Sequence, residues 1–268
     1  MPGLSFVHDE PERRRMFPVA AHHVFFAHAG VAPLPRVAEE ALQDFARRGA
    51  EDGQESAWAW AKVREARQAA AALLGASEDE ISLLGPTSLG LNLVALGLDW
   101  RPGDEVVYCR EDYPANVYPW AALENLGVAP VPLHSPVLGA IAWEDVEAAL
   151  TPRTRLVALA SCHFLSGYRI DVDGIGRRLH DRGILFCLDA IQTLGAFPLS
   201  VEHVDFLSAD SHKWLLGPCG AGIFYVKTAC RERLRPALVG SWNVVSPQFV
   251  AQDAIQFETG GRRYEPGI

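Results

Sequence analysis

The chain has 268 residues, enough for one large domain with a small arm or for two modest domains. Its composition is that of a soluble globular protein, 49% hydrophobic and 21% charged, and a net charge of −9 argues against gripping a nucleic-acid backbone as its main task. No apolar run reaches the ~18–20 residues that cross a bilayer, and the opening stretch, with Asp9, Glu10, Glu12 and Arg13 to Arg15, lacks the basic-then-apolar order of a signal peptide.

Taken in chain order, the first helical pattern covers 36–48. It follows Pro35, sets Val37, Ala41, Leu42 and Phe45 on one stripe, and stops at Gly49. A second, 58–74, runs alanine-rich to Leu73 and Leu74 and stops at Gly75. After the apolar ISLLG, short β-like runs at 104–109, 128–133, 155–160, 184–188, 204–208 and 222–226 alternate with helical patterns at 88–97, 115–126, 143–150 and 173–182. Asp173 is placed to cap the last of these helices. Near-continuous apolar strands between amphipathic helices predict an α/β fold, a mostly parallel sheet with helices on both faces. With no repeat and no internal linker, residues 21–260 read as one α/β domain behind an N-terminal arm, 1–20. The five cysteines, Cys109, Cys162, Cys187, Cys219 and Cys230, show no metal-like pairing. They read as small core residues in a reducing cytosol, and no metal site is expected.

In such sheets, ligands bind beyond the carboxyl ends of the strands, so polar residues just after apolar runs are the candidates. Lys213, in SADSHKWLLGPCGAG, lies among Phe206, Leu207, Trp214, Leu215 and Leu216. Desolvation there would favour the neutral, nucleophilic amine, although spacing alone fits a surface lysine as well. Asp189 ends an otherwise apolar strand, where a carboxylate either caps the next turn or meets a cation such as a protonated pyridine nitrogen. Gln192 follows three residues on and could reach a ring substituent. Thr87 and Ser88 open a helix, as a phosphate cradle or as a plain cap. Tyr113, after the strand ending at Cys109, is either a rim aromatic or a face for a planar ring.

In their order, TSLGLN, DYPANVYPW, DAIQTLG and SADSHKWLLGP resemble the class V aminotransferase family of fold-type I enzymes dependent on pyridoxal 5′-phosphate, PLP. That group includes cysteine desulfurases, selenocysteine lyases and isopenicillin-N-epimerase-like and kynureninase-like proteins. The likeness runs from FFAHAGVAPLP to RRYEPG, and the D-x-x-Q and S-x-H-K pieces, which put Asp189 and Lys213 24 residues apart, are specific in combination.

The resemblance implies that Lys213 carries the cofactor as an aldimine, that Asp189 partners the pyridine nitrogen and that Gln192 bonds the ring oxygen. It further implies that Thr87 and Ser88 hold the phosphate, with His212 beside the cofactor. Tyr113 stands where desulfurases have a stacking histidine and Phe164 where they have an asparagine. Asp210 stands at a phosphate-binding serine position, where a carboxylate repels phosphate unless a lysine, an arginine or a protonated His212 intervenes. These three departures lead away from the desulfurases toward the epimerase-like and uncharacterised aminotransferase-like branch.

Residues 261–268 would open a C-terminal small domain that is absent. Arg262 and Arg263 are either part of a carboxylate site or a solvated pair. An amino-acid-like substrate, a homodimer and neither a nucleic-acid nor a membrane partner are expected. The rival readings are a cysteine desulfurase or selenocysteine lyase, a PLP-binding remnant without turnover, and a nucleotide-binding protein of Rossmann type. The last lacks a G-x-G-x-x-G turn.

Overall fold

Apolar runs of about five residues, too short for buried helices, pair into a single sheet. The computed structural model describes residues 9–246 and 250–267. Its strands are β1 (Ile81–Leu84), β2 (Glu105–Cys109), β3 (Ala129–Leu133), β4 (Thr154–Ala160), β5 (Leu185–Asp189), β6 (Phe206–Asp210) and β7 (Gly222–Val226). They lie in the order β1-β7-β6-β5-β4-β2-β3. Strands β2 to β6 are mutually parallel, whereas β7 runs antiparallel to both β6 and β1. Pro130 and Pro132 are tolerated because β3 is an edge strand.

The helices are α1 (Glu10–Met16), α2 (Arg36–Glu51), α3 (Ala57–Leu74), α4 (Thr87–Gly97), α5 (Tyr118–Ala121), α6 (Trp143–Ala149) and α7 (Val172–His180). Alternate strand residues serve opposite faces. Val107, Val157, Phe186, Leu188 and Leu207 pack with Leu74 of α3, Val146 of α6 and Leu179 of α7. Val106, Leu156, Cys187, Phe206 and Phe224 pack with Leu91 and Val94 of α4 and with Trp120. Both faces are therefore covered, as the continuous apolar strands predict.

Four local expectations are corrected. The helix expected over 115–126 is broken into two 3-10 turns flanking α5, because Pro114 and Pro119 cannot donate backbone N–H groups. Strand β6 sits two residues later than 204–208, since the Asp205 carboxylate turns back to accept the Phe186 N–H. Asp171, not Asp173, caps α7, its Oδ1 accepting the Gly174 N–H at 3.0 Å. Asp171→Ala should lower stability by about 1 kcal/mol, read as a lower melting temperature, while Asp173→Ala should change it little. Finally, α2 runs past Gly49 to Glu51 and buries none of its residues. Leu42 and Phe45 instead line an open apolar groove with Trp58 and Trp242.

Of the N-terminal arm, residues 1–8 lie outside the described residues, and α1 and a 3-10 turn at Pro18–Ala21 form the rest. The segment from Gly261, expected to open a further domain, lies against β1, while Ile268 falls outside the described residues. Ser82 Oγ donates to the Gly261 carbonyl at 2.7 Å, and the Glu265 carboxylate takes both Arg67 (2.6 Å) and the Leu83 N–H (2.7 Å). Of the five cysteines, four are buried and only Cys219 is exposed.

Candidate active site

The carboxyl ends of β2, β4, β5 and β6 converge with the start of α4 on one cavity of about 560 Å³, a size suited to a small organic ligand. Lys213, Asp189, His212, Thr87, Ser88, Tyr113 and Phe164 all line it. Sequence reasoning singled out each of these seven.

Lys213 is buried just after β6, and its Nζ lies 5.5 Å from the centroid of the Tyr113 ring. Burial lowers its proton affinity, against the pull of the Asp189 and Asp210 charges. The turn that follows Lys213 places Leu216 at φ 57°, a left-handed conformation that a branched side chain rarely adopts. Asp189 is 3% exposed, and burial, reinforced by the charge of Asp112, pushes its carboxyl up to about 7. Its Oδ1 accepts the Ile191 N–H at 3.0 Å.

Thr87 and Ser88 are the first two residues of α4, and neither caps it, so the plain-cap alternative falls away. The Asp210 N–H donates to Thr87 Oγ1 at 2.8 Å. That leaves the hydroxyl proton of Thr87 free for the cavity, beside the unpaired N–H groups of a helix start. Gly90 lets α4 approach β6 this closely, since a Cβ there would stand 2.4 Å from Ser208 Oγ.

Two expected contact residues stand behind the wall. Gln192 does not line the cavity: its Nε2 donates to the Ala29 carbonyl (3.0 Å) and its Oε1 accepts from the Trp214 indole (2.9 Å). It thereby fastens the 28–32 segment, whose Ala29, Gly30 and Val31 form one side of the cavity. His28 stacks on Trp214 at 5.3 Å, and the Ala32 N–H donates to the His212 carbonyl. Asp210 is buried and pairs with His212 instead of facing the cavity. Arg262 and Arg263 lie elsewhere, against Glu258 and Glu232 respectively.

Sequence reasoning missed Asp112 and His163. The buried Asp112 carboxylate accepts from the Tyr113 N–H (2.7 Å), Asn116 Nδ2 (3.0 Å) and the Ala160 N–H (3.1 Å), and so fixes the turn that presents Tyr113. The Asp–Asn spacing in DYPAN was the available signal. His163 donates from Nε2 to the Glu111 carbonyl and anchors the turn carrying Phe164, whose ring meets Tyr113 edge-on at 5.3 Å.

A family model described as "Aminotransferase class-V" matches residues 24–267. The chain belongs to the class-V aminotransferase family. Its similar relatives in that family include a probable cysteine desulfurase of Methanothermobacter thermautotrophicus, 31% identical over 95% of this chain. Another is the uncharacterized aminotransferase YcbU of Bacillus subtilis, 29% identical over 93% of this chain and 68% of its own. The chain spans 64% of the length of the first.

Among solved structures, the apo cysteine desulfurase of Thermococcus onnurineus superposes with a TM-score of 0.85 at 27% identity, covering 96% of this chain and 66% of that one. A C-DES variant with glycine covalently linked to its PLP cofactor gives 0.87 at 24% identity over 95% of this chain and 69% of its own, a likeness that speaks for the fold. The expected class-V architecture is therefore present.

Proposed function

We propose that this class-V chain binds pyridoxal 5′-phosphate on Lys213 and acts on an amino-acid-like substrate. The observation that carries this is the convergence, in one cavity, of a desolvated amine, a buried acid, an aromatic face and a hydroxyl-bearing helix start. The donor set fits the cofactor: amine for aldehyde, acid for ring nitrogen, helix start for phosphate.

When bound, the cofactor supplies an electrophilic carbon and a ring that accepts the electron pair released at a substrate's α-carbon. Lys213, its proton affinity lowered by burial, would offer Nζ for attachment and would serve as the acid or base at that carbon. Asp189 would partner the ring nitrogen. Tyr113, supported by Phe164 and Asp112, would offer its face to the ring. Thr87, Ser88 and His212 would hold the phosphate.

The exposed apolar side chains Val31 and Leu165 on the cavity rim support a homodimer whose second copy completes the site. Unpaired cysteines, with no disulfide among the described residues, support a reducing, cytoplasmic setting. No described helix is long and apolar enough to cross a membrane.

The test is to purify the chain with PLP, reduce it with borohydride and locate the label. Retention of a yellow chromophore trapped on the chain is expected, and its absence refutes the proposal. Within this reading, names such as that of the Methanothermobacter relative favour a cysteine desulfurase, whereas Tyr113 and Phe164 favour a transaminating or epimerising enzyme. Sulfide release from cysteine decides for the first, and spectral changes with other amino acids but not cysteine decide for the second.

A further inference from the structure

Strand β6 ends in a carboxylate that the proposed reaction does not use. Asp210 is 3% exposed, and its Oδ2 accepts the Gly220 N–H at 3.2 Å. His212 Nδ1 stands 3.0 Å from the same oxygen, off the line of a hydrogen bond, while Oδ1 is buried with no hydrogen-bond partner. A buried carboxylate with a bare oxygen is costly unless a counter-charge stands against it. Lys213 feels the Asp210 charge as well, but its amine is committed to the cavity.

The Asp210 backbone N–H donates to Thr87 Oγ1, which ties this residue to the anion-ready start of α4. Thr87 and His212 line the cavity and Asp210 does not. An anion seated on α4 therefore meets the imidazole in front of the carboxylate.

We propose that Asp210 is a positioning residue for phosphate: it draws the Nδ1–H of His212 toward itself, so that Nε2–H donates to the cofactor's phosphate. This rests on the PLP reading above. Asp210 then strengthens phosphate binding through His212, although its charge alone would weaken it.

The test compares PLP with pyridoxal, which has the same ring and aldehyde but no phosphate, on the unaltered chain, Asp210→Asn, His212→Gln and the double variant. Asp210→Asn should weaken PLP about tenfold, the size of one charge-assisted hydrogen bond, and leave pyridoxal unchanged. In the His212→Gln background it should add no further loss, because residues acting as one unit are not additive.

Tighter PLP binding by Asp210→Asn overturns the proposal, since that is the signature of plain repulsion. Equal losses for PLP and pyridoxal, or additive losses in the double variant, overturn it too. Should Asp210→Asn fail to fold, nitrogen-15 spectra of histidine in the unaltered holo-protein decide: protons on both ring nitrogens of His212 are expected, and a bare Nδ1 overturns the inference. If the folded, unaltered chain binds no PLP at all, the PLP reading fails and this inference with it. If PLP binds but the sign is reversed, this inference fails alone.

Discussion

Lys213→Ala, treated with pyridoxal 5′-phosphate and borohydride, should gain no covalent label, where the unaltered chain gains one phosphopyridoxyl group on residue 213. The structure gives the reason. Lys213 Nζ is the amine that lines the cavity, it is buried, and its proton affinity is lowered by that burial. Lys62, by contrast, is exposed and ion-paired with Glu65, away from the cavity. Turnover of any amino-acid substrate should fall by ~10²-fold or more, since in the proposed reaction the same amine moves the proton at the α-carbon. Peptide mapping after reduction checks the site, and a label that persists elsewhere in Lys213→Ala would remove Lys213 from its assigned role.

The second large effect runs in opposite directions for stability and chemistry. Asp189 has an ordinary value of 3.8 and is pushed up to about 7 in the folded chain, first by burial and then by the Asp112 charge. The folded chain thus holds a proton that the unfolded chain has released, so apo-protein stability falls as pH rises from about 4 to about 7 and stays reduced above that. Asp189→Asn keeps an oxygen for the Ile191 N–H and has no charge to desolvate. The variant's apo form should gain stability on the order of 4 kcal/mol above pH 7, with the gain vanishing below pH ~4. Denaturant unfolding at several pH values measures it, and a pH-independent difference would show that Asp189 does not carry this titration. Catalysis should drop sharply in the same variant, because an amide cannot hold the ring nitrogen's proton as a carboxylate does.

The sheet was legible because strands covered on both faces leave unbroken apolar runs, as in LVALA of β4 and ILFCL leading to Asp189. The helix over 115–126 misled because apolar spacing does not register the N–H groups missing at Pro114 and Pro119. Strand β6 was harder to read. Its end, with Ser208 and Asp210, looks polar in sequence until Thr87, more than a hundred residues away, takes the Ser208 hydroxyl and the Asp210 backbone N–H. Similarly, the stripe on α2 announced an apolar face without saying what would lie against it.

Within the site, the strand-end residues that line the cavity could be picked out from type and position. Gln192 and Asp210 were expected there as well, but they lie behind the wall, a depth the sequence does not display. One fastens a wall and the other backs an imidazole. Asp112 went unnoticed because its work is done through backbone N–H groups, which no side-chain motif displays.

The pairing of β7 between β6 and β1 has a consequence for how the molecule is made. The hydrogen bond joining Asp210 to Thr87 closes a loop of 123 residues, and contacts so remote in sequence form late because their entropy must be lost first. Asp189 and Tyr113 depend on the parallel strands β2, β4 and β5. The proposed phosphate cradle forms only once α4 has docked beside β6. On that proposal, capture of a phosphorylated ligand would select chains that have finished folding, and by mass action would draw the remainder toward the completed sheet.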